Sequence, residues 1–119
     1  MLLVLLSCLG GGRVLQTGQA SFYGEGFAGR PTASGAIFDP SKLTAAHRTL
    51  PLGTVVDVIH QRTGARVRVI INDRGPFAGN RIVDLSQGAA ERLGMVAEGV
   101  ARVELRLVQC PSGETCRVQ

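Results

Sequence analysis

The sequence predicts a small, mainly β barrel of about six short strands with one short helix. Three observations indicate this fold class. Short runs of alternating or β-branched residues recur along the chain, as in β-strands. The 16 glycines help to separate these runs. One stretch alone has helix-capping signals at both ends, which indicates a single helix. The 119 residues have room for one domain. Because closing a sheet removes its exposed edges, a barrel suits so many short strands.

Residues 1–17 are predicted to precede the barrel as a signal-like segment and tether. Met1–Leu9 is apolar but far shorter than the roughly 20 apolar residues that span a bilayer. Leu5-Leu6-Ser7-Cys8 resembles a bacterial lipoprotein cleavage box, which would make Cys8 a lipidated first residue and attach the protein to a membrane. No basic residue precedes the apolar run, so the alternatives are a true start that lies upstream or an ordinary apolar N-terminus.

Strands and loops alternate through the first half of the barrel. Gly18–Gly24 alternates polar and apolar positions, which predicts a strand. Glu25–Asp39 is rich in Gly, Pro, Thr and Ser and predicts a long surface loop. Lys42–His47 is a short extended segment, and the Pro and Gly of Arg48–Gly53 mark a turn. Thr54–His60 is a clear strand, with His60 expected to be exposed at its end.

The most informative stretch follows the turn Gln61–Gly64. Arg66–Asp73 reads as the second strand of an antiparallel hairpin and breaks into Asn-Asp-Arg-Gly-Pro, a run of turn formers. Asp73 therefore stands where a rigid strand meets a loop, and a carboxylate placed there is suited to acid/base chemistry. A side chain that only shapes the local turn is the alternative.

The last elements are a strand, a helix and a strand. Arg81–Leu85 is a strand, in which Asp84 is expected to cap the helix or brace the barrel. Ser86 is a predicted N-cap for a helix over Gln87–Leu93, which Gly94 ends. Ala101–Val108 alternates apolar and charged residues, so it predicts a strand with one wet face.

Charge and cysteines limit the partners. The formal net charge is +4, almost wholly from arginine, which suits an anionic polymer or surface without choosing one. The arginines are dispersed, so no nucleic acid partner is expected. In the tail 109–119, Cys110 and Cys116 are expected to form a disulfide, with two free thiols as the alternative. No cofactor or metal is expected, since neither histidine has a ligand-spaced neighbour.

Seven motifs in register are similar to the rare lipoprotein A (RlpA) family. They are Gly18-Gln19-Ala20-Ser21-Phe22-Tyr23-Gly24, Gly29-Arg30-Pro31-Thr32-Ala33-Ser34-Gly35, Phe38-Asp39, Leu43-Thr44-Ala45-Ala46-His47-Arg48-Thr49-Leu50-Pro51-Leu52-Gly53, Ile71-Asn72-Asp73-Arg74-Gly75-Pro76-Phe77, Arg81-Ile82-Val83-Asp84-Leu85-Ser86 and Ala89-Ala90-Glu91-Arg92-Leu93-Gly94. The resemblance implies a six-stranded double-psi β-barrel over residues 18–108. It also implies a periplasmic or envelope enzyme, expected to be a monomer.

The activity that the resemblance implies is endolytic lytic transglycosylation of peptidoglycan glycan strands, with a preference for strands without stem peptides. The bond between MurNAc and GlcNAc breaks and a 1,6-anhydro-MurNAc end forms. Family members often carry a C-terminal peptidoglycan-binding SPOR domain, and none is expected within these 119 residues.

The resemblance also assigns roles to residues. Asp73 is the implied acid/base, which must start protonated, as burial or a nearby anion would favour. His47 is expected to hydrogen-bond to Asp73 or to orient the sugar, and a histidine satisfying the backbone of a turn is the alternative. The expected substrate contacts are Tyr23, Thr32, Asn72 and Arg74. Arg74 is expected to point away from Asp73 or to contact substrate.

One position departs from the family pattern. Ala36 stands where the family usually has Glu, and losing one carboxyl of an acid/base pair commonly costs about 10²–10⁴ in rate. Activity is therefore expected to be reduced, unless Asp39 or Glu25 reaches the groove or Asp73 suffices alone. The alternative function is an expansin-like barrel that binds glycan or cell wall without cutting it.

Overall fold

The computed structural model describes residues 12–23 and 25–118. The strands are β1 (Val14–Tyr23), β2 (Thr44–Ala46), β3 (Val55–His60), β4 (Arg66–Asp73), β5 (Arg81–Ser86) and β6 (Ala101–Gln109); the helix is α1 (Gln87–Leu93), and a 3₁₀ turn spans Glu25–Phe27. Cys8 and most of the signal-like segment lie outside the described residues.

The six strands form one closed barrel in the order β1-β5-β2-β4-β3-β6. Two pairs, β1 with β5 and β2 with β4, are parallel, and the other four pairs are antiparallel. This confirms the predicted mainly β, six-stranded double-psi barrel with one short helix. It also places β1, β5, β2 and β4 side by side, although no two neighbours in this group are consecutive strands of the chain.

Two predicted strands differ from the observed ones by more than one residue at an end. β1 begins at Val14 rather than Gly18, because residues before Gly18 already pair with β6, for example Gln16 opposite Leu105. β2 is shorter than predicted and covers only Thr44–Ala46. The predicted hairpin of β3 and β4 is confirmed, with Val56 paired to Val69 and Val58 to Val67.

The barrel interior is filled by the apolar side of each strand. On β4, Val67, Val69 and Ile71 are buried while Arg66 and Arg68 are exposed, the alternation typical of a strand with one wet face. The other strands contribute Ala20, Val56, Val58, Val83, Leu85, Val103 and Leu105. Each fully buried valine or leucine contributes about 1.5–3 kcal/mol through removal of apolar surface from water.

The helix α1 has the predicted bounds and caps. The Ser86 hydroxyl oxygen accepts a hydrogen bond from the Ala89 N–H at 3.2 Å, as an N-cap does. Gly94 ends the helix at φ 78°, a conformation that favours glycine. Within residues 12–23 and 25–118, no helix has the length and apolar character needed to cross a membrane.

His60 is a correction to the sequence analysis, because it is buried rather than exposed. The residue is 1% exposed, and its Nε2 lies 2.7 Å from Glu98 Oε1. Its Nδ1 accepts hydrogen bonds from the N–H groups of Arg62 and Thr63 at 3.2 and 3.4 Å. The ring nitrogen Nδ1 therefore serves as the acceptor for two N–H groups of the turn that joins β3 to β4.

Candidate active site

A cavity of about 140 Å³ opens beside the four adjacent strands β1, β5, β2 and β4. Its lining consists of Tyr23, Phe27, Ala46, Asp73, Arg74 and Asp84. Three of the predicted site residues, Tyr23, Asp73 and Arg74, are thus brought together. A larger cavity of about 490 Å³ lies between the start of β1 and the tail, but its lining residues include no carboxylate and no histidine. The smaller cavity is therefore the candidate active site.

Asp73 is fixed through one carboxylate oxygen. Its Oδ1 accepts hydrogen bonds from the N–H groups of Arg74 at 2.8 Å and Ala33 at 3.0 Å, so the side chain does shape the local turn. Its Oδ2 accepts no hydrogen bond from any residue that the structure describes. One oxygen of Asp73 therefore shapes the turn, as the alternative interpretation predicted, and the acid/base role stays a prediction for the other oxygen.

Asp84 is the second carboxylate of the cavity. Its Oδ1 accepts hydrogen bonds from the Ser21 hydroxyl and from Arg81 Nη1, the latter at 3.1 Å. This is the bracing role expected for Asp84, while helix capping belongs to Ser86. Among the described residues nothing donates to Asp84 Oδ2. Its position in the cavity is not among the sequence-based predictions.

The strand register explains why the two carboxylates share a cavity. Ala46 on β2 pairs with Asp73 on β4 and with Asp84 on β5. Residues directly opposite each other on neighbouring strands extend to the same face. Two strand spacings place the Asp73 and Asp84 Cα atoms about 10 Å apart. Because Ala46 carries only a methyl group, the space between the two carboxylates stays open.

Tyr23 is held by aromatic contacts and has an unused hydroxyl. Its ring centroid lies 4.6 Å from that of Phe38 and 5.4 Å from that of Phe27. The hydroxyl oxygen is buried and has no hydrogen-bond partner within the described chain. Burial, and after it the negative charges of Asp73 and Asp84, raise the pKa of Tyr23. The hydroxyl therefore stays protonated and can donate to a ligand oxygen.

His47 is a second correction, because its ring does not bond to Asp73. The Nδ1 accepts from the N–H groups of Thr49 and Leu50, both at 3.1 Å, and Nε2 lies 2.8 Å from Gln16 Oε1. Burial, the Arg74 charge and the Arg48 charge lower its pKa to about 4, so the ring is neutral at pH 7. The alternative interpretation of His47, a histidine that satisfies the backbone of a turn, describes this geometry.

His47 nevertheless supports the site through its backbone. Its N–H donates to the Asp73 carbonyl at 3.1 Å. Its own carbonyl accepts from Arg74 Nη1 at 3.1 Å, and the same nitrogen donates to the Leu50 carbonyl at 2.7 Å. Arg74 is therefore directed to these carbonyls, one of the two orientations expected for it. These hydrogen bonds connect the turn that follows His47 to the end of β4.

The remaining predicted substrate contacts lie outside this cavity. Asn72 lines a neighbouring open cavity of about 460 Å³ together with Ala33, Ser34, Leu52, Gly53, Ile70 and Ile71, and its side-chain Oδ1 is buried without a described partner. Thr32 lines neither cavity. Its hydroxyl forms hydrogen bonds with the Ala36 carbonyl and the Ser34 hydroxyl, at 2.8 and 2.9 Å. Thr32 therefore stabilises the loop instead of facing a ligand.

Of the two expected substitutes for the missing glutamate, Asp39 does not line the cavity. Ala36 is exposed and lines neither cavity. Asp39 Oδ1 accepts from the N–H and hydroxyl of Ser41 at 2.9 and 2.7 Å, which lowers the pKa of Asp39 and ties it to its own loop. The Glu25 side chain lies outside what the structure describes. The second acid of the cavity comes from β5 instead.

The predicted disulfide lies away from the cavity. Cys110 and Cys116 are bonded to each other, with Cα atoms 5.9 Å apart, which is the predicted pairing. Across residues 12–23 and 25–118, no three or more His, Cys, Asp or Glu residues are grouped so as to hold a metal ion.

Comparison with known proteins shows the family to which the chain is similar. The chain matches the family described as lytic transglycolase over residues 15–105. It is 57% identical over 93 residues to the probable endolytic peptidoglycan transglycosylase RlpA of Nostoc sp., covering 76% of this chain and 25% of that protein. It is 55% identical over 92 residues to the protein of the same name from Treponema pallidum, with coverages of 77% and 29%. The chain thus spans less than a third of the length of these relatives.

Solved structures share the barrel. A Streptomyces papain inhibitor matches with a TM-score of 0.64 and 26% identity, over 79% of this chain and 94% of that one. The expansin of Clavibacter michiganensis matches with a TM-score of 0.65 and 22% identity, over 87% of this chain and 54% of that one. At such identities the expansin likeness concerns the fold.

Proposed function

We propose, from the premise that this chain belongs to the RlpA-like lytic transglycosylase family, that it is an endolytic peptidoglycan transglycosylase of the cell envelope. Its substrate would be the glycan strand, preferably without stem peptides, and its product a 1,6-anhydro-MurNAc end. The observation that carries the proposal is the cavity in which Asp73 presents an unshared carboxylate oxygen close to the free Tyr23 hydroxyl.

The proposed reaction needs one group that gives and then takes a proton. Protonated Asp73 donates its proton to the bridging oxygen while the C1–O bond of the muramoyl residue breaks, and the bonding pair leaves with that oxygen. The C6 hydroxyl of the same residue attacks C1 and forms the anhydro ring. Its proton passes to the Asp73 carboxylate, which restores the starting acid. Neither water nor a second reactant is consumed.

The geometry supports this role for Asp73. Hydrogen bonds from Ala33 and Arg74 keep Oδ1 in place, so Oδ2 needs little reorganisation before it meets a substrate oxygen. The Tyr23 hydroxyl is placed to donate to a sugar oxygen in the same cavity. Phe27, 47% exposed at the rim, offers an aromatic face to the apolar side of a sugar ring.

Incubation of the purified chain with glycan strands freed of stem peptides tests the proposal. We expect anhydromuramoyl ends, detected by mass spectrometry as products one water lighter than hydrolysis products, and their loss in Asp73→Asn. Binding without any product would instead support the glycan-binding barrel. Reducing muramoyl ends would show a hydrolase. The expansin likeness does not favour the binding alternative, since it concerns the fold alone.

We further propose that the protein works as a monomer attached to a membrane through lipidated Cys8. Labelling of cells with a clickable fatty acid tests the attachment. The label is expected on the wild-type protein and absent from Cys8→Ala. Sedimentation of the purified protein is expected to give the mass of one chain, and a dimer would contradict the monomer.

A further inference from the structure

The cavity holds a second carboxylate for which the single-acid reaction has no use. Asp84 lies across Ala46 from Asp73 and lines the same cavity. The two are anchored in the same way, each with Oδ1 bound by two donors and Oδ2 free of any donor that the structure describes. Asp73 uses two backbone N–H groups, and Asp84 uses the Ser21 hydroxyl and Arg81.

A structural brace alone would not require this arrangement. Asp57 on β3 shows what a brace looks like in this barrel. It engages Arg68 through both oxygens, with Nε to Oδ1 at 3.0 Å and Nη2 to Oδ2 at 3.2 Å. Asp84 also has an arginine partner, but only one of its oxygens is used. Its second oxygen stays in a cavity beside an unpartnered tyrosine hydroxyl.

The charge of Asp84 is secured on the side away from the free oxygen. Arg81 Nη1 donates to Asp84 Oδ1 and also to the Ser21 hydroxyl, which in turn donates to the same Oδ1. Charge-assisted hydrogen bonds of this kind stabilise a carboxylate anion and fix its direction. The cavity thus combines an acid on β4 with an oriented anion on β5.

We propose that Asp84 is a catalytic residue that stabilises the positive charge at the muramoyl C1 and ring oxygen as the glycosidic bond breaks. This inference rests on the proposed transglycosylase function. Asp84 forms no bond and moves no proton; its anion faces the oxocarbenium-like centre while Asp73 protonates the leaving oxygen. About 10 Å between the Cα atoms leaves room for a sugar ring between the two side chains.

The proposal accounts for activity without a glutamate at position 36. In this chain the anion would come from Asp84 across the barrel, while residue 36 is an exposed alanine outside the cavity. Restoring the family residue by Ala36→Glu is therefore expected to change turnover far less than Asp84→Asn does.

The first test compares Asp84→Asn with the matched control Asp57→Asn, both strand carboxylates paired with arginine. Asparagine keeps an acceptor for Ser21 and Arg81 but removes the charge. We expect kcat on stripped glycan strands to fall about 10²-fold in Asp84→Asn, with KM changed less than about threefold, and kcat to stay within about twofold in Asp57→Asn. A kcat of Asp84→Asn within that same range of wild type would overturn the inference.

The second test measures the effect of the Asp84 charge on ligand binding, without catalytic turnover. Calorimetry compares the binding of a short glycan carrying a protonated iminosugar at the muramoyl position with binding of its neutral parent. Wild type is expected to prefer the cation, and Asp84→Asn to lose about tenfold of that preference, while Asp57→Asn keeps it. An unchanged preference in Asp84→Asn would overturn the inference. A brace with no catalytic role would not alter this ratio.

Failure of the inference and failure of the proposed function give different results. If wild type forms no anhydromuramoyl ends, the proposed function fails, and the iminosugar comparison still decides whether Asp84 faces a cation. If wild type and Asp84→Asn form them equally fast while Asp73→Asn does not, only the inference fails. Should Asp84→Asn not fold, Ser21→Ala removes one orienting hydrogen bond and is expected to lower kcat about tenfold; no change would contradict the role of Asp84.

Discussion

Strand β4 has a histidine-supported turn beside each of its ends, and the two turns are built alike. At both, Nδ1 accepts from the N–H groups two and three residues further along, and Nε2 bonds to a side chain from another part of the chain. Beside the first residue of β4, His60 meets Glu98, which also pairs with Arg62 at 3.2 Å. Beside its last residue, His47 meets the uncharged Gln16.

The two ends differ in what they leave unused. At the His60 end, the Glu98 carboxylate bonds to both His60 and Arg62. At the His47 end, the Tyr23 hydroxyl is buried without a partner among the described residues. The hydrogen bonds to the Asp73 carboxylate all reach Oδ1, and no described residue donates to Oδ2. A buried polar group without a partner is costly, so such groups persist mainly where a ligand satisfies them. Unused hydrogen-bond capacity, rather than the presence of a histidine, distinguishes the end that we propose binds substrate.

The largest difference between the two ends of β4 is expected in the reaction rate after the carboxylate at each end is replaced by its amide. Asp73→Asn removes the proposed acid/base and should lower the rate of anhydromuramoyl formation about 10²–10⁴-fold. Glu98→Gln removes a carboxylate of the other end and should leave that rate unchanged. Initial rates on stripped glycan strands measure both. Equal losses would show that the rate reports barrel integrity instead of chemistry at Asp73.

The histidines should be equivalent for stability and different for activity. His47→Ala and His60→Ala each leave two N–H groups without an acceptor and open a small void, so each should lower the free energy of unfolding by about 2–4 kcal/mol. Only His47→Ala should also lower kcat, because the His47 ring holds the turn whose backbone N–H donates to the Asp73 carbonyl. Urea unfolding and kcat at a temperature where both variants are folded measure these effects. A matching loss of kcat in His60→Ala would remove the distinction.

Acid should destabilise the protein through His47. The unfolded ring takes up its proton near pH 6.5 and the folded ring only near pH 4. As the pH falls, the unfolded state therefore binds the proton first, and the free energy of unfolding decreases between those values by roughly 3 kcal/mol. The lowered pKa of Glu98 acts in the same direction, but only once the pH falls into the range where glutamate titrates. Urea unfolding from pH 7 to pH 5 should show the decrease in wild type and lose most of it in His47→Gln.

The smallest expected effect concerns Tyr23. Tyr23→Phe removes a buried hydroxyl without a described partner, so stability should stay equal or rise by about 1 kcal/mol. If the hydroxyl donates to substrate, KM or kcat should worsen about tenfold at the same time. Thermal unfolding combined with steady-state kinetics tests this pairing. A loss of stability would reveal a partner for the hydroxyl in the folded protein.

Much of the barrel was predictable because its signals are local. The alternation on β4, the caps Ser86 and Gly94, and the turn that joins β3 to β4 each depend on a few neighbouring residues. The placement of Asp73 at a strand end was equally readable, since turn formers follow a β-branched run. For these features, backbone preferences within a short window decide the structure.

The roles of the histidines and of Asp84 could not be read in this way. His47 and His60 are 2% and 1% exposed because each meets a side chain from a distant part of the chain, Gln16 or Glu98. An aspartate inside the apolar run of β5 was a usable signal of a special position. It did not show that the aspartate would share a cavity with Asp73.

The six strands, the helix with its caps, the family and the position of Asp73 at the end of β4 could be predicted from the amino-acid sequence. The closed barrel was needed to show that β5 and β4 flank β2, that Ala46 separates two carboxylates, and that His47 faces the backbone of its own turn. Strand order and register depend on closing all six strands around one core, so no short stretch of sequence contains them.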